Sequence, residues 1–248
     1  WSSDVCSSDL MKKISLSFLL IAFLAFFSSC EKVVGDGPVV QQVIPVADFS
    51  KLSVAIQGRV NYAIGPVYKV EVMAQQNIID VMRFNKEGDE LVIKFQNGVW
   101  VRNHEDIVVN ITAPQVKAVN VSGSANVSVT GPVTGSNLDL KVSGSGNLEV
   151  QNATLSDKLT GTVSGSGSVT VYSGSTINES LQMSGSGSIT LTGVQSDKAT
   201  THISGSGNIK VKVAQTLDAH ISGSGSVYYL GSPVITSQVS GSGRVRAL

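Results

Sequence analysis

LQMSGSGSITL, residues 181–191, alternates apolar and polar side chains at period two around a central Ser-Gly pentapeptide. The same word recurs as VSGSG from Val142, Val163 and Val239, and as ISGSG from Ile203 and Ile221; VSGSA starts at Val121. Ser-Gly runs ordinarily mark flexible linkers, so the spacing decides the reading. Successive words begin 21, 21, 20, 20, 18 and 18 residues apart, a period that belongs to stacked repeats. Six residues after each leading apolar residue stands another: Val127, Leu148, Val169, Ile189, Ile209, Val227 and Val245. A linker has no reason to hold that register.

Period-two alternation predicts strands buried on one face. Leu181, Met183, Ile189 and Leu191 take the inward parity, whereas Ser184, Ser186 and Ser188 point out. Each coil of a β-solenoid must turn sharply while its neighbours lie about 4.8 Å away. Glycine permits positive φ and close backbone approach at such a corner. The first glycine of the word (Gly123, Gly144, Gly165, Gly185, Gly205, Gly223, Gly241) is present in every repeat, and the second is Ala125 once. These are read as structural corner positions. The serines between the two glycines (Ser145, Ser166, Ser186, Ser206, Ser224, Ser242) form an outward surface ladder, with Asn126, Asn147 and Asn208 in a second one. The prediction is an all-β parallel β-solenoid with coils of about 18–21 residues.

The first half is less regular. LSVAIQGRVNYAI and ELVIKFQ read as strands, and QNIIDVMRF as a helical turn with Asn77 as its cap. No Pro-rich linker separates the halves, so residues 44–248 form one domain whose irregular N-terminal part covers one end of the solenoid. Residues 1–10, WSSDVCSSDL, lack a basic start or an apolar core and read as a non-native leader. Residues 11–29 pair Lys12 and Lys13 with an apolar run from Ile14 to Phe27, the pattern of a signal peptide. The run is shorter than the roughly 20 residues of a membrane-spanning helix. It closes on FSSC, similar to a bacterial lipobox, which makes Cys30 the expected lipidation site and membrane anchor, with ordinary secretion and a free Cys30 as the alternative. Residues 30–43 then read as a tether.

Removing residues 1–29 leaves 16 acidic and 16 basic residues, with no basic excess to recruit nucleic acid. With Cys30 committed to lipid, no cysteine remains for a disulfide. Beyond residue 118 the aromatic residues are Tyr172, Tyr228 and Tyr229, so the core must be built from thin aliphatic layers.

The lipobox-like leader, VADFSKLSVAIQGRVNYAI, IVVNITAPQVKAVNVSGSANVSV and the SGSG train together resemble the putative auto-transporter adhesin, head GIN domain family. The resemblance covers nearly all of the chain after Cys30. It implies a right-handed, single-stranded parallel β-helix, secretion or lipid anchoring in the envelope of Bacteroidota-like bacteria, and no catalytic residues.

Chemistry is sparse. The acids of the repeats, Asp139, Glu149, Asp157, Glu179, Asp197 and Asp218, are scattered. Asp157 and Asp197 share an offset but lie two coils apart, roughly 10 Å, wide for a glycosidase pair. Calcium β-rolls place Asp after Gly-x-Gly-x, and here Ser, Asn or apolar residues stand there. His202 and His220 precede successive words and should stack outward, where two imidazoles alone make a weak metal site. Sustained Thr-x-Thr rows of ice-binding solenoids are absent. The expectation is a non-catalytic cell-envelope module without cofactor or metal, anchored at the outer membrane, whose ladders meet a glycan or protein. A periplasmic scaffold and a polysaccharide-acting enzyme are the alternatives. Periplasmic and surface-exposed placement both stay open.

Overall fold

The computed structural model describes residues 31–248. The expected leader, signal peptide and Cys30 lie outside the described residues. In chain order come β1 (Glu31–Val34), β2 (Val39–Ile44), β3 (Lys51–Ala55), β4 (Arg59–Ile64) and β5 (Lys69–Gln75). A short helix α1 (Gln76–Val81) follows, then β6 (Met82–Glu87), β7 (Glu90–Phe95), β8 (Val99–Arg102) and β9 (Val108–Ala113). The repeats supply β10 (Ala118–Gly123), β11 (Asn126–Gly144), β12 (Asn147–Gly165), β13 (Ser168–Val171) and β14 (Gly174–Gly185). They end with β15 (Ser188–Gly205), β16 (Asn208–Gly223), β17 (Ser226–Leu230), β18 (Val234–Gly241) and β19 (Arg244–Ala247).

The strands of the repeats pair in parallel, coil on coil, in a β-solenoid of about six turns. The words stack in register: Val121 pairs with Val142, Val142 with Val163, Val163 with Met183, and so on through Ile203 and Ile221 to Val239. From Val121 through Ile221 this column is buried, as is the one from Val127 through Leu148, Val169, Ile189 and Ile209 to Val227. Stacked aliphatic layers thus fill the interior of the repeats. The larger buried side chains, Phe49 and Tyr62, sit in the first coils, and the Tyr62 hydroxyl donates to the Gln115 carbonyl at 2.7 Å. Burial holds the Tyr62 hydroxyl far above its ordinary pKa.

Two coils precede the regular repeats. β3 and β4 pair in parallel with β10 and β11, and β7 and β9 pair in parallel with β3 and β4. Beyond them the sheet turns antiparallel: β5 lies against β9, β2 against β5, and β6 against β7. These strands cover backbone edges of the first coil that would otherwise offer a template for another chain.

Two expectations change. The segment read as a tether is structured: β1 pairs with β8, and β2 runs against β5. Its alternation of Val with polar residues was short enough to pass for a linker, and long-range pairing partners are invisible locally. The residue at the N-cap of α1 is Gln75, which makes no side-chain cap. Asn77 instead turns its amide to the incoming strand, donating to Val34 O at 2.7 Å and accepting from Asp36 N at 3.1 Å.

Candidate functional site

The corner explains the word. The carbonyl of Gly123 accepts N–H groups from Ser145 and Gly146 of the next coil, both at 2.9 Å. Gly144, Gly165, Gly185 and Gly205 each accept the same pair of bonds one coil later. To aim that carbonyl along the stack, the first glycine adopts φ of +110° to +128° in all seven words. A side chain there would also strike the carbonyl beneath, for a Cβ on Gly144 would stand 2.5 Å from Gly123 O. The second glycines, from Gly146 to Gly243, are buried and press on the preceding coil.

Between the glycines, Ser145, Ser166, Ser186, Ser206, Ser224 and Ser242 are all exposed at the corner. Their backbone N–H groups carry coil-to-coil bonding from Ser145 to Ser224. The position two beyond bonds through side chains: Asn147 Nδ2 donates to Asn126 Oδ1 at 2.9 Å, and Ser168 Oγ to Asn147 Oδ1 at 2.7 Å.

A concavity lies on the other side of the corner. A trough of about 770 Å³ runs along the stack, lined by the first serine of each word, from Ser143 through Ser164, Ser184, Ser204 and Ser222 to Ser240. Beside them the residues that precede each word, Lys141, Thr162, Gln182, His202, His220 and Gln238, form a second row in register. The sequence reading singled out the second serine of each word, whereas the trough takes the first. Both have outward parity, and only the curvature of the sheet tells them apart.

His202 and His220 stack on this row, with ring centroids 4.7 Å apart and planes 11° from parallel. The ring of His220 has a polar neighbour at each nitrogen. Nδ1 lies 3.2 Å from Gln238 Oε1, and Nε2 lies 3.2 Å from Asp218 Oδ1 without hydrogen-bond alignment. Among the described residues no group of three or more His, Cys, Asp and Glu side chains could hold a metal ion.

The first word sits at the head of the trough. Ser122 pairs with Ser143, and Ser122 and Ser124 line a smaller hollow of about 230 Å³ with Gln57, Phe95, Val99 and Trp100. Trp100 is 52% exposed, and the Arg102 guanidinium stacks 3.5 Å from its ring centroid. Nothing in the repeat pattern pointed to Trp100, which lies in the corner insertion of the first coil.

The acids do not converge. Asp157 accepts from Asn178 Nδ2 at 3.1 Å, in the coil between it and Asp197. Glu179, counted from sequence among the scattered acids, is only 3% exposed and faces the core. Its column reads Leu138, Leu159, Glu179, Ala199, Leu217, so a carboxyl stands in an aliphatic row. Neither carboxyl oxygen has an aligned hydrogen-bond partner, and burial drives its pKa well above the ordinary value, with the nearby Ser196 hydroxyl acting in the opposite direction.

The model of one protein family, described as putative auto-transporter adhesin, head GIN domain, matches residues 48–233. The chain belongs to this family. Among solved structures, a putative adhesin from Bacteroides fragilis superposes with a TM-score of 0.81 at 22% identity, covering 87% of this chain and 100% of that one. A putative lipid binding protein from Parabacteroides distasonis gives 0.72 at 24% identity, over 88% of this chain and 100% of that one. A putative adhesin from Parabacteroides merdae gives 0.71 at 24% identity, over 88% and 99%. At such identities the likeness is one of fold. No curated protein matches the chain. Among the described residues no helix is long and apolar enough to cross a membrane.

Proposed function

We propose that this protein is a non-catalytic, lipid-anchored envelope adhesin whose trough holds an extended glycan. The observation that carries the reading is the trough itself. Hydroxyls recur along it in register, one per coil, beside a second row of Lys141, Thr162, two amides and two imidazoles. A pyranose chain offers hydroxyl groups at a similar interval, so one polymer lying along the axis could exchange hydrogen bonds with several coils at once. Each exchange is weak, because water competes for every exposed hydroxyl, and affinity therefore rests on the number of coils engaged. Membership of a family described as putative adhesins supports recognition as the role of this surface. Anchoring rests on the lipobox-like end at Cys30.

The test is a panel of immobilised bacterial and host polysaccharides, probed with wild type and with Ser184→Tyr and Ser204→Tyr. Both positions are exposed, so the variants should fold while the phenol rings obstruct the trough. Retention of one polymer by wild type and its loss in both variants is the expected result. Failure of every polysaccharide to retain wild type would turn the reading to an envelope scaffold.

A further inference from the structure

The strand that begins one residue after Cys30 is fixed in place. Glu31 N donates to Gly98 O at 2.8 Å, and β1 pairs with β8 through Lys32 opposite Trp100 and Val34 opposite Arg102. Asn77 holds the Val34 carbonyl, and Gln75 Nε2 donates to Gly37 O at 2.9 Å. Val33, Val99 and Val101 turn inward and pack on the core. The alternate residues, Lys32, Val34, Trp100 and Arg102, therefore share the outer face of this two-stranded ribbon. Val34 is 43% exposed and Trp100 52%, the latter capped on one face by Arg102.

An acylated Cys30 would leave no slack between the bilayer and this ribbon. The face nearest the anchor then carries a tryptophan, an aliphatic side chain and two cations. Tryptophan is favoured at the headgroup level because its ring is apolar and its N–H needs a polar partner. Lysine and arginine beside it meet lipid phosphates. Glu31 lies at the strand start on the other parity, and Asp36, Glu105 and Asp106 lie in the adjoining turns. We infer that the outer face of the β1–β8 ribbon docks on the phospholipid headgroup layer and fixes the solenoid's orientation on the membrane. This inference rests on the anchoring proposed above.

Trp100 is the single tryptophan after Cys30 and reports on its own surroundings. The mature chain is purified from membranes, its N-terminal mass measured, and it is then reconstituted into phosphatidylethanolamine–phosphatidylglycerol vesicles with bromine on the acyl chains near the headgroup. The expected result is an acylated Cys30 together with a blue-shifted Trp100 emission that the brominated lipid largely quenches. In the double variant Lys32→Glu, Arg102→Glu the chain should still float with the vesicles through its lipid, while Trp100 emission returns to that of the detergent-free aqueous protein. An acylated chain whose Trp100 emission ignores the brominated lipid overturns the docking and leaves the anchor intact. An unacylated Cys30 overturns both.

Discussion

Gly144 sits directly on Gly123, so closely that a Cβ on Gly144 would stand 2.5 Å from the Gly123 carbonyl oxygen. That oxygen is the acceptor of two N–H groups from the coil above, and the close approach of glycine on glycine repeats at each later word. Gly185, at φ +121°, occupies the same place over Gly165. Gly185→Val should cost about 1–3 kcal/mol from the disfavoured backbone conformation and about 1–3 kcal/mol more from overpacking. Ser186→Ala, one residue on and exposed, should cost well under ~1 kcal/mol. Urea unfolding of both variants checks the contrast. Equal losses would mean that the Ser186 side chain is buried at the corner and not exposed on it.

Met183 is 2% exposed and stands between Val163 and Ile203 in the buried column of the words. Met183→Ala should leave a cavity that the flanking coils cannot close, because each coil is held at its spacing by backbone bonds on both sides. A loss of about 2–5 kcal/mol is expected, read in the same unfolding experiment. A loss below that of an exposed serine would show that the column repacks.

Glu179 should make the fold weaken as the pH rises. Its folded-state pKa is raised by burial, so the folded chain keeps the proton above the ordinary value of 4.5, where the unfolded chain has lost it. Stability is therefore fully present below pH 4.5 and declines as the pH climbs through the window between the two values. Glu179→Met removes the unpaired carboxyl from an aliphatic column and should raise stability by about 1–3 kcal/mol at neutral pH. The advantage over wild type should shrink towards pH 4.5. Parallel pH profiles for the two proteins would exclude Glu179 as the source.

The stacked imidazoles should not bind zinc tightly. Both ring nitrogens of His220 already face Gln238 and Asp218, and a stable site needs three or four ligands. Calorimetric titration of wild type with Zn²⁺ should show no saturable, stoichiometric heat at micromolar metal. Tight binding lost in His202→Ala would show that the pair rearranges to hold a metal.

Cys30→Ala should move the protein from the detergent phase to the aqueous phase on partitioning of cell extracts. Unchanged partitioning would assign membrane attachment to another segment.

The sequence by itself determined the solenoid. Period-two alternation, a word returning every 18–21 residues and a glycine in each word leave few other ways to bury Met183 and expose Ser186. These signals are local and repeated, so each coil restates the evidence. What only the tertiary structure decided is set by partners far away in the chain. The β1 strand reads as a tether until β8, near residue 100, lies beside it. Asn77 looks like a helix cap until Val34 and Asp36 arrive to take its amide. Ser184 and Ser186 are equivalent by parity, yet the turn between coils places Ser184 in the trough and Ser186 on the corner. Glu179 counts as one more surface acid until its column reveals Leu159 and Ala199 on either side. Alternation tells inside from outside; curvature and long-range pairing tell which outside, and next to what.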